Sequence, residues 1–421
     1  MKGAETLAKA LDILIEEKEG SLWVAALADG RLEGLEVDPL LEEVRWGSIY
    51  WAKVKSIDAA LDAAFLDLDG DNTGILYNRD VRVRDKKGAV HKGGAQAIGK
   101  SFKAGDMVIV QAKTAYLPRQ DDDDISEESK IPQMSMDITL GGRHLVFCAL
   151  ADSNRISQRI KQKKLRTQLM AMIDGMEGIK GCILRASAAG TQTDVIRREW
   201  KILNEAWKQM QKHFAGKDPG LIMLGPDAIQ RTLSDQAGHV IDHIEIVTMD
   251  HYNQVEEWCS VFAPDLVTKI EPIELEDATD DLALFHYRDI MGQIEDLFQS
   301  YTLLPGGGNI IIQETAALTA IDVNKGGDKQ SHLAVNLEAI KEIARQMRLR
   351  NTGGIIIVDF LKTQSKADEK KLLAALEDTI LHDPCTVQIH GRTALGLIEM
   401  TRKRRTPPLQ DRFEGVEGVM E

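Results

Sequence analysis

Apolar and polar residues alternate across 23–37, "WVAALADGRLEGLEV", and the alternation breaks at Asp29-Gly30. That pattern predicts a β-hairpin with its turn at the dipeptide. From Trp46 to Leu140 the apolar runs are short: "SIYWAKVKSI", "AAFLDLDG", "TGILYN" and "DMVIVQAK", separated by glycines and charged turns. Strands at this density predict a small barrel. Two insertions, "DKKGAVHKGGAQAIGK" and the acidic "QDDDDISEES", read as loops interrupting it.

From about residue 156 the apolar period lengthens to that of a helix. Leu165, Leu169, Met172 and Ile173 mark one helix face, and Trp200, Leu203, Trp207, Met210 and Phe214 mark another, read as core. Between them "GCILRASAAG" reads as a strand. "GLIMLGPDAIQRTLSD" predicts a strand and then a helix begun by Pro226, and "HVIDHIEIVTMD" another strand. In the last third, "NIIIQETAALTAIDVN" predicts paired strands, and Leu337, Ile340, Ile343, Ala344 and Met347 a helix stopped at Gly353-Gly354. "IIIVDF" is a short buried strand, "KKLLAALEDTIL" a helix and "TVQIH" a strand. Strands alternating with helices imply α/β layer packing.

The chain has 421 residues, enough for two to four domains, and its 43% hydrophobic content can fill their cores. Only 5% is aromatic, so those cores are mainly aliphatic. Cys148, Cys182, Cys259 and Cys385 lie far apart with no C-x-x-C pair, which supports neither a zinc knuckle nor a disulfide framework and fits a reducing cytoplasm. The first twenty residues are charged throughout and lack a signal-peptide core, and no apolar run approaches the roughly 20 residues that span a bilayer. A cytoplasmic protein without a membrane span is expected.

The net charge of −14 argues mildly against a polyanion partner, but charge is distributed locally. "NRISQRIKQKKLR" concentrates Arg155, Arg159, Lys161, Lys163, Lys164 and Arg166, and "TRKRR" spans Thr401 to Arg405. Either cluster is a polyanion-binding patch or an ordinary solvated face.

Two apolar strands end in acids: Asp322 after "LTAI" and Asp359 after "IIIV". Ligands of α/β sheets gather at the carboxyl ends of strands. Were these strands neighbours, two carboxylates would share one spot, and such a pair repels unless a proton or cation is shared. Asn324, two residues beyond Asp322, points to the same face and adds a neutral oxygen. That donor set suits Mg²⁺, with Mn²⁺ as the alternative. The competing reading is that each Asp caps the turn that follows it.

The stretches "LLPGGGNIIIQETAALTAIDVNKGG", "NLEAIKEIARQMRLRNTGGIIIVDF" and "GLIEMTRKR" together closely resemble the catalytic core of the ribonuclease E/G family. "GSIYWAKVKSIDAALDAAFLDLDGDNTGIL" is similar to that family's OB-fold RNA-binding domain, and "RISQRI" and "ILRASAAG" to pieces of its 5′-sensor. The resemblance covers nearly the whole chain and implies an α/β and β mosaic. Its expected units are a ribonuclease H-like fold split between 1–44 and 218–283, an OB-fold barrel over 45–138, a 5′-sensor α/β unit over 139–217, and a DNase I-like catalytic α/β unit over 284–421.

The same resemblance implies a Mg²⁺-dependent endoribonuclease that cuts single-stranded RNA and leaves 5′-phosphate ends, in RNA processing or decay. Asp322 and Asp359 fall on the metal ligands and Asn324 on the assisting asparagine. Phe65 matches a base-stacking aromatic and Lys130 a phosphate-contacting lysine, and Arg155 and Arg159, in the basic stretch that begins with "RISQRI", are candidate RNA-binding residues. Arg185 matches the arginine that grips a 5′-monophosphate. Three departures stand out. Ala186 replaces the sensor's threonine, leaving Ser187 as the nearest hydroxyl. Ile75 replaces a second stacking aromatic. The end of the sequence, "RTPPLQDRFEGVEGVME", carries no C-P-x-C zinc link. No zinc is therefore expected, and a homodimer, if formed, is not zinc-linked. The alternative function is a non-catalytic RNA-binding protein that retains the family fold; intact Asp322, Asn324 and Asp359 favour the enzyme.

Overall fold

The computed structural model describes residues 10–38, 44–84, 90–115, 131–275, 282–315 and 317–413. The described residues of Met1–Leu40, Val240–Tyr252 and Lys269–Glu421 form one compact unit, and those of Leu41–His239 and Asn253–Thr268 a second.

The chain opens with three antiparallel strands, β1 (Leu11–Lys18), β2 (Ser21–Ala28) and β3 (Arg31–Asp38). The β2–β3 hairpin is the expected one: Ala28 pairs with Arg31, and Asp29 (φ 50°) and Gly30 (φ 74°) form the turn with the positive φ values of a type I′ loop. β1 is less evident in the sequence, because "LDILIEEK" carries charge on both faces; Glu16 is nonetheless buried and accepts the backbone N–H of Leu284 at 3.1 Å.

The second unit begins with β4 (Ile49–Asp58), β5 (Ala63–Asp67) and β6 (Thr73–Tyr77). The short hairpin of β7 (Arg82–Arg84) and β8 (Val90–Lys92) follows, and then β9 (Met107–Ala112) and β10 (Gln133–Ser135). The ten-residue β4 pairs with β5 along its second half and with β9 along its first, and β6–β10–β9 completes the circuit. This is a closed five-stranded barrel filled by Val54, Leu66, Leu76, Val110 and Met134 among others. The expected small barrel is therefore present. The acidic insertion falls outside the described residues.

A four-stranded sheet follows, of β11 (Thr139–Gly141), β12 (Leu145–Cys148), β13 (Arg155–Ile156) and β14 (Cys182–Leu184). Two helices share its core: α1 (Lys163–Asp174) gives Leu169 and Ile173, and α2 (Thr193–Gln211) gives Ile196, Leu203, Trp207 and Met210. The strand expected over "GCILRASAAG" stops at Leu184, and Ala186–Ala188 form a single 3₁₀ turn. β15 (Gly220–Met223) adds to the edge of β4. α3 (Ala228–Asp235) is capped by Asp227, whose side chain accepts from Gln230 N at 2.8 Å, with Pro226 just before the cap.

Returning to the first unit, β16 (Ile241–Ile246) lies parallel to β1; α4 (Met249–Phe262) follows, its residues from Asn253 on belonging to the second unit, and then β17 (Ile270–Pro272), giving the sheet order β17-β16-β1-β2-β3. α5 (Ala283–Tyr287) and α6 (Met291–Glu295) pack Leu284, Phe285 and Ile294 against Trp23 and Leu27.

The last sheet contains β18 (Tyr301–Leu303), β19 (Asn309–Glu314), β20 (Leu318–Asn324), β21 (Gly354–Asp359), β22 (Val387–Arg392) and β23 (Ile398–Arg402), in the order β18-β19-β20-β21-β23-β22. α7 (His332–Leu349) and α8 (Lys366–Ile380) bury Ile340, Ile343, Met347, Leu372 and Leu376 against one face, meeting Ile310, Ile321, Val323, Ile356 and Met400. α7 ends slightly before the expected glycines, since Asn351 (φ 50°) turns the chain and Gly354 (φ 80°) starts β21. Alternate residues of the strands project to the other face. A short helix, α9 (Leu409–Phe413), closes the described chain.

Candidate active site

Asp322 and Asp359 are register partners. β20 and β21 run parallel with Leu318 opposite Ile355, and the pairing ends with Asp322 opposite Asp359. Directly opposed residues project to the same face. Here that is the face opposite the helices, because Ile321, Val323 and Val358 beside them are buried in the helix-covered core. Both carboxylates are exposed at the carboxyl ends of their strands. Asn324 returns to the same face, and its Nδ2 donates to Asp322 Oδ2 at 2.8 Å. The amide thereby orients one carboxylate and leaves its own Oδ1 available. The structure brings Asp322, Asn324 and Asp359 together on one face.

Backbone clamps hold both strand ends. Beyond β20, Gly326 (φ 52°) would place a Cβ 2.7 Å from the Gly307 carbonyl, so only glycine lets the "PGGGN" loop lie against this turn. Buried Asp328 accepts from Gln330 N at 2.7 Å, and Glu338 Oε1 accepts from Gly306 N at 3.1 Å. Beyond β21, fully buried Asn336 of α7 donates to the Leu361 carbonyl at 2.7 Å and accepts from the Leu361 amide at 3.0 Å. His332 Nδ1 lies 2.9 Å from the next carbonyl, that of Lys362.

The donor set is hard: two carboxylates and an amide oxygen. Among the described residues no group of three or more His, Cys, Asp or Glu is arranged to hold a metal ion. Mg²⁺ commonly binds one or two carboxylates and completes its shell with water and substrate phosphate, so the pair fits that ion.

At the end of β14, Arg185 is half-buried; its backbone N–H donates to the His144 carbonyl at 2.8 Å and its guanidinium to the Ser234 carbonyl at 3.2 Å. Ser187, carried round by the 3₁₀ turn, donates its hydroxyl to the Arg143 carbonyl at 2.9 Å. Its proton is thus committed to the backbone. Phe65, half-buried on β5, is the direct partner of Ile75 on β6 and lies outside the barrel core. Arg155 and Arg159 are exposed, whereas Arg166 spends its guanidinium on the carbonyls of Ser157 and Ile160 at 2.7 and 3.0 Å. Lys130 lies outside the described residues. Of the second basic cluster, Arg402 does not face solvent. It is buried against Asp383, 2.9 Å from Oδ2, and also donates to the Thr352 carbonyl.

The sequence profile of the Ribonuclease E/G family matches residues 139–405. The chain belongs to the ribonuclease E/G family. It is similar to ribonuclease G of Haemophilus influenzae, 26% identical over 414 residues, covering 95% of this chain and 81% of that protein. It is also similar to ribonuclease G of Escherichia coli K12, 28% identical over 407 residues, covering 93% and 80%. Ribonuclease E of Haemophilus influenzae is 29% identical over 398 residues, 91% of this chain but 40% of that longer protein.

Within this ribonuclease E/G chain, two polar residues were not singled out from sequence. Glu199 sits in the apolar stripe of α2, between Ile196 and Leu203, and is buried. Its Oε1 accepts the backbone N–H groups of His144 and Leu145 at 3.0 and 3.2 Å, and a Cβ on Gly142 would fall 1.8 Å from that oxygen. Burial pushes the Glu199 carboxyl up to about 7 against the pull of those amides. Burial, and then the neighbouring Arg143 guanidinium, push His144 down to about 4. Asn336 likewise interrupts the apolar stripe of α7. A polar residue at a core position of an amphipathic helix was the available signal in both cases.

Proposed function

We propose that this chain is an endoribonuclease that requires Mg²⁺, or Mn²⁺ in its place, cuts single-stranded RNA and leaves 5′-phosphate ends. The observation that carries the reading is the register pairing of Asp322 with Asp359 on one exposed sheet face; the named ribonuclease relatives supply the reaction class. Asp322 and Asp359 would hold the ion, and Asn324 would orient Asp322 through its 2.8 Å hydrogen bond. When bound, the ion polarises the scissile phosphate and lowers the pKa of an attacking water. The chain's own contribution is rigidity: Asn336 pins the exit of β21 and the glycine loop pins the exit of β20, so both carboxylates are positioned before RNA arrives.

The same reading assigns the barrel as an OB-fold RNA-binding domain and the β11–β14 sheet with its helices as the 5′-sensor. It assigns the β17-β16-β1-β2-β3 sheet as the split ribonuclease H-like fold and residues 284–421 as the DNase I-like unit. Phe65, Arg155 and Arg159 would contact RNA. The test is cleavage of a short 5′-monophosphorylated single-stranded RNA with and without Mg²⁺, with end-group analysis of the products. Mg²⁺-dependent internal cuts bearing 5′-phosphates are expected. RNA binding without cleavage under Mg²⁺ or Mn²⁺ would overturn the enzyme and leave the non-catalytic RNA-binding protein.

A further inference from the structure

One rung of the last sheet runs unbroken from its edge to the carboxylates. Tyr301 of β18 pairs with Ile311 of β19, Ile311 with Asp322 of β20, and Asp322 with Asp359 of β21. Residues opposed across successive strands share a face. Tyr301 therefore stands on the open face, two strands from Asp322, a separation of about 10 Å at the usual strand spacing of roughly 4.8 Å. Its side chain is 49% exposed, and Ile311 between them is half-buried. On the adjoining rung Leu303, 65% exposed, pairs with Asn309, and Asn309 with Asn324. An edge strand that presents two large apolar side chains invites unwanted association, and edges are normally blunted by charge.

We propose that Tyr301 forms a base-stacking subsite of the RNA groove, its ring taking the base of a nucleotide beside the bond being cut, with Ile311 as the apolar floor between ring and carboxylates. The inference rests on the proposed endoribonuclease reading. Two features make a base the occupant. The apolar surface is continuous in register with the carboxylate pair, and a strand whose phosphate lies over Asp322 and Asp359 must place neighbouring nucleotides across the same face. No cationic residue occupies this rung, so contact here is made through rings rather than phosphates. A Tyr face accepts any base, which gives grip without strict sequence choice.

Two experiments test the subsite. The first uses the cleavage-blocked Asp322→Asn protein and single-stranded RNAs in which 5-iodouridine is walked past the cleavage position. Photocrosslinking to Tyr301 from one or two adjacent positions is expected; crosslinks that bypass Tyr301 at every position overturn the proposal. The second compares wild type, Tyr301→Ala and Tyr301→Phe on RNAs with a normal or an abasic nucleotide at the crosslinked position. Tyr301→Ala is expected to lower kcat/KM about 5- to 150-fold on the normal RNA, the loss of one stack. It should leave the abasic RNA almost unaffected, and Tyr301→Phe should behave as wild type. An equal loss on both RNAs, or a changed oligomeric state with unaltered RNA affinity, overturns it. Failure of wild type itself to cleave with Mg²⁺ would instead remove the reading on which the subsite rests.

Discussion

The side-chain amide of Asn336 holds both backbone polar groups of Leu361, two residues beyond Asp359. Asn336→Ala leaves the half-buried N–H and C=O of Leu361 without their side-chain partner, at no more than about 1–3 kcal/mol for each group. The expected result is lower unfolding stability in urea together with a raised Mg²⁺ requirement for cleavage. A stability loss with an unchanged Mg²⁺ titration would show that the clamp serves the fold alone.

Asp322→Asn or Asp359→Asn should abolish cleavage, by about 10³-fold or more if several kcal/mol of charge stabilisation are lost. RNA affinity and thermal unfolding should stay near wild type, because both carboxylates are exposed. Retained activity, or inactivity that tracks unfolding, would move the metal site elsewhere.

Glu199 and His144 give stability opposite slopes with pH. Glu199 titrates near 7 when folded and near 4.5 ordinarily, so the folded chain holds the extra proton between them and stability falls as pH rises through that window. His144 titrates near 4 when folded and near 6.5 ordinarily, so the unfolded chain holds the extra proton and stability rises with pH over that range. The two effects nearly cancel where they overlap. Relative to wild type, Glu199→Gln should expose the rising limb and His144→Phe the falling one, each approaching about 1.4 kcal/mol per pH unit. Urea midpoints from pH 4 to 8 provide the comparison, and parallel curves for all three proteins would refute the assignment.

The basic clusters should separate by experiment. Arg155→Ala and Arg159→Ala should flatten the salt dependence of RNA binding, each by about 0.7 in the logarithmic slope if each contacts one phosphate of a single strand. Arg402→Ala should leave that slope alone and destabilise the chain by about 3–5 kcal/mol, because Asp383 would remain buried without its partner. A changed salt slope in Arg402→Ala would contradict its structural role.

Preference for a 5′-monophosphate over a 5′-hydroxyl should be weak. Arg185 supplies a guanidinium, but the Ser187 proton goes to the Arg143 carbonyl and Ala186 has no hydroxyl. Cleavage rates on the two RNAs, for wild type and Arg185→Ala, decide this; a strong preference that survives Arg185→Ala would place the sensor elsewhere.

The strand-end acids were legible because a short, mostly apolar run that stops on Asp is a local pattern, and both runs carry it. Their pairing was a supposition until β20 and β21 proved to be neighbours in register. The hairpin at Asp29-Gly30 and the small barrel were legible from the density of short strands and turns. Which strand closes the barrel was not, since that depends on β4 being long enough to pair twice. Glu199 and Asn336 escaped because their partners are backbone groups far along the chain, which residue type and spacing do not reveal. Arg402 was misleading in the opposite sense: four consecutive cations suggest a surface, yet one side chain turns inward to Asp383.

The parallel pairing of β1 with β16 has a consequence for biosynthesis. β1 ends at Lys18 and its neighbour begins only at Ile241, after the stretch that encodes the whole closed barrel. A nascent chain emerging from the ribosome therefore presents β1–β3 as an unfinished sheet while the barrel has all its strands and can fold as a unit. β1 therefore gains its second strand neighbour only after the barrel strands have been made, and until then one of its edges stays unpaired.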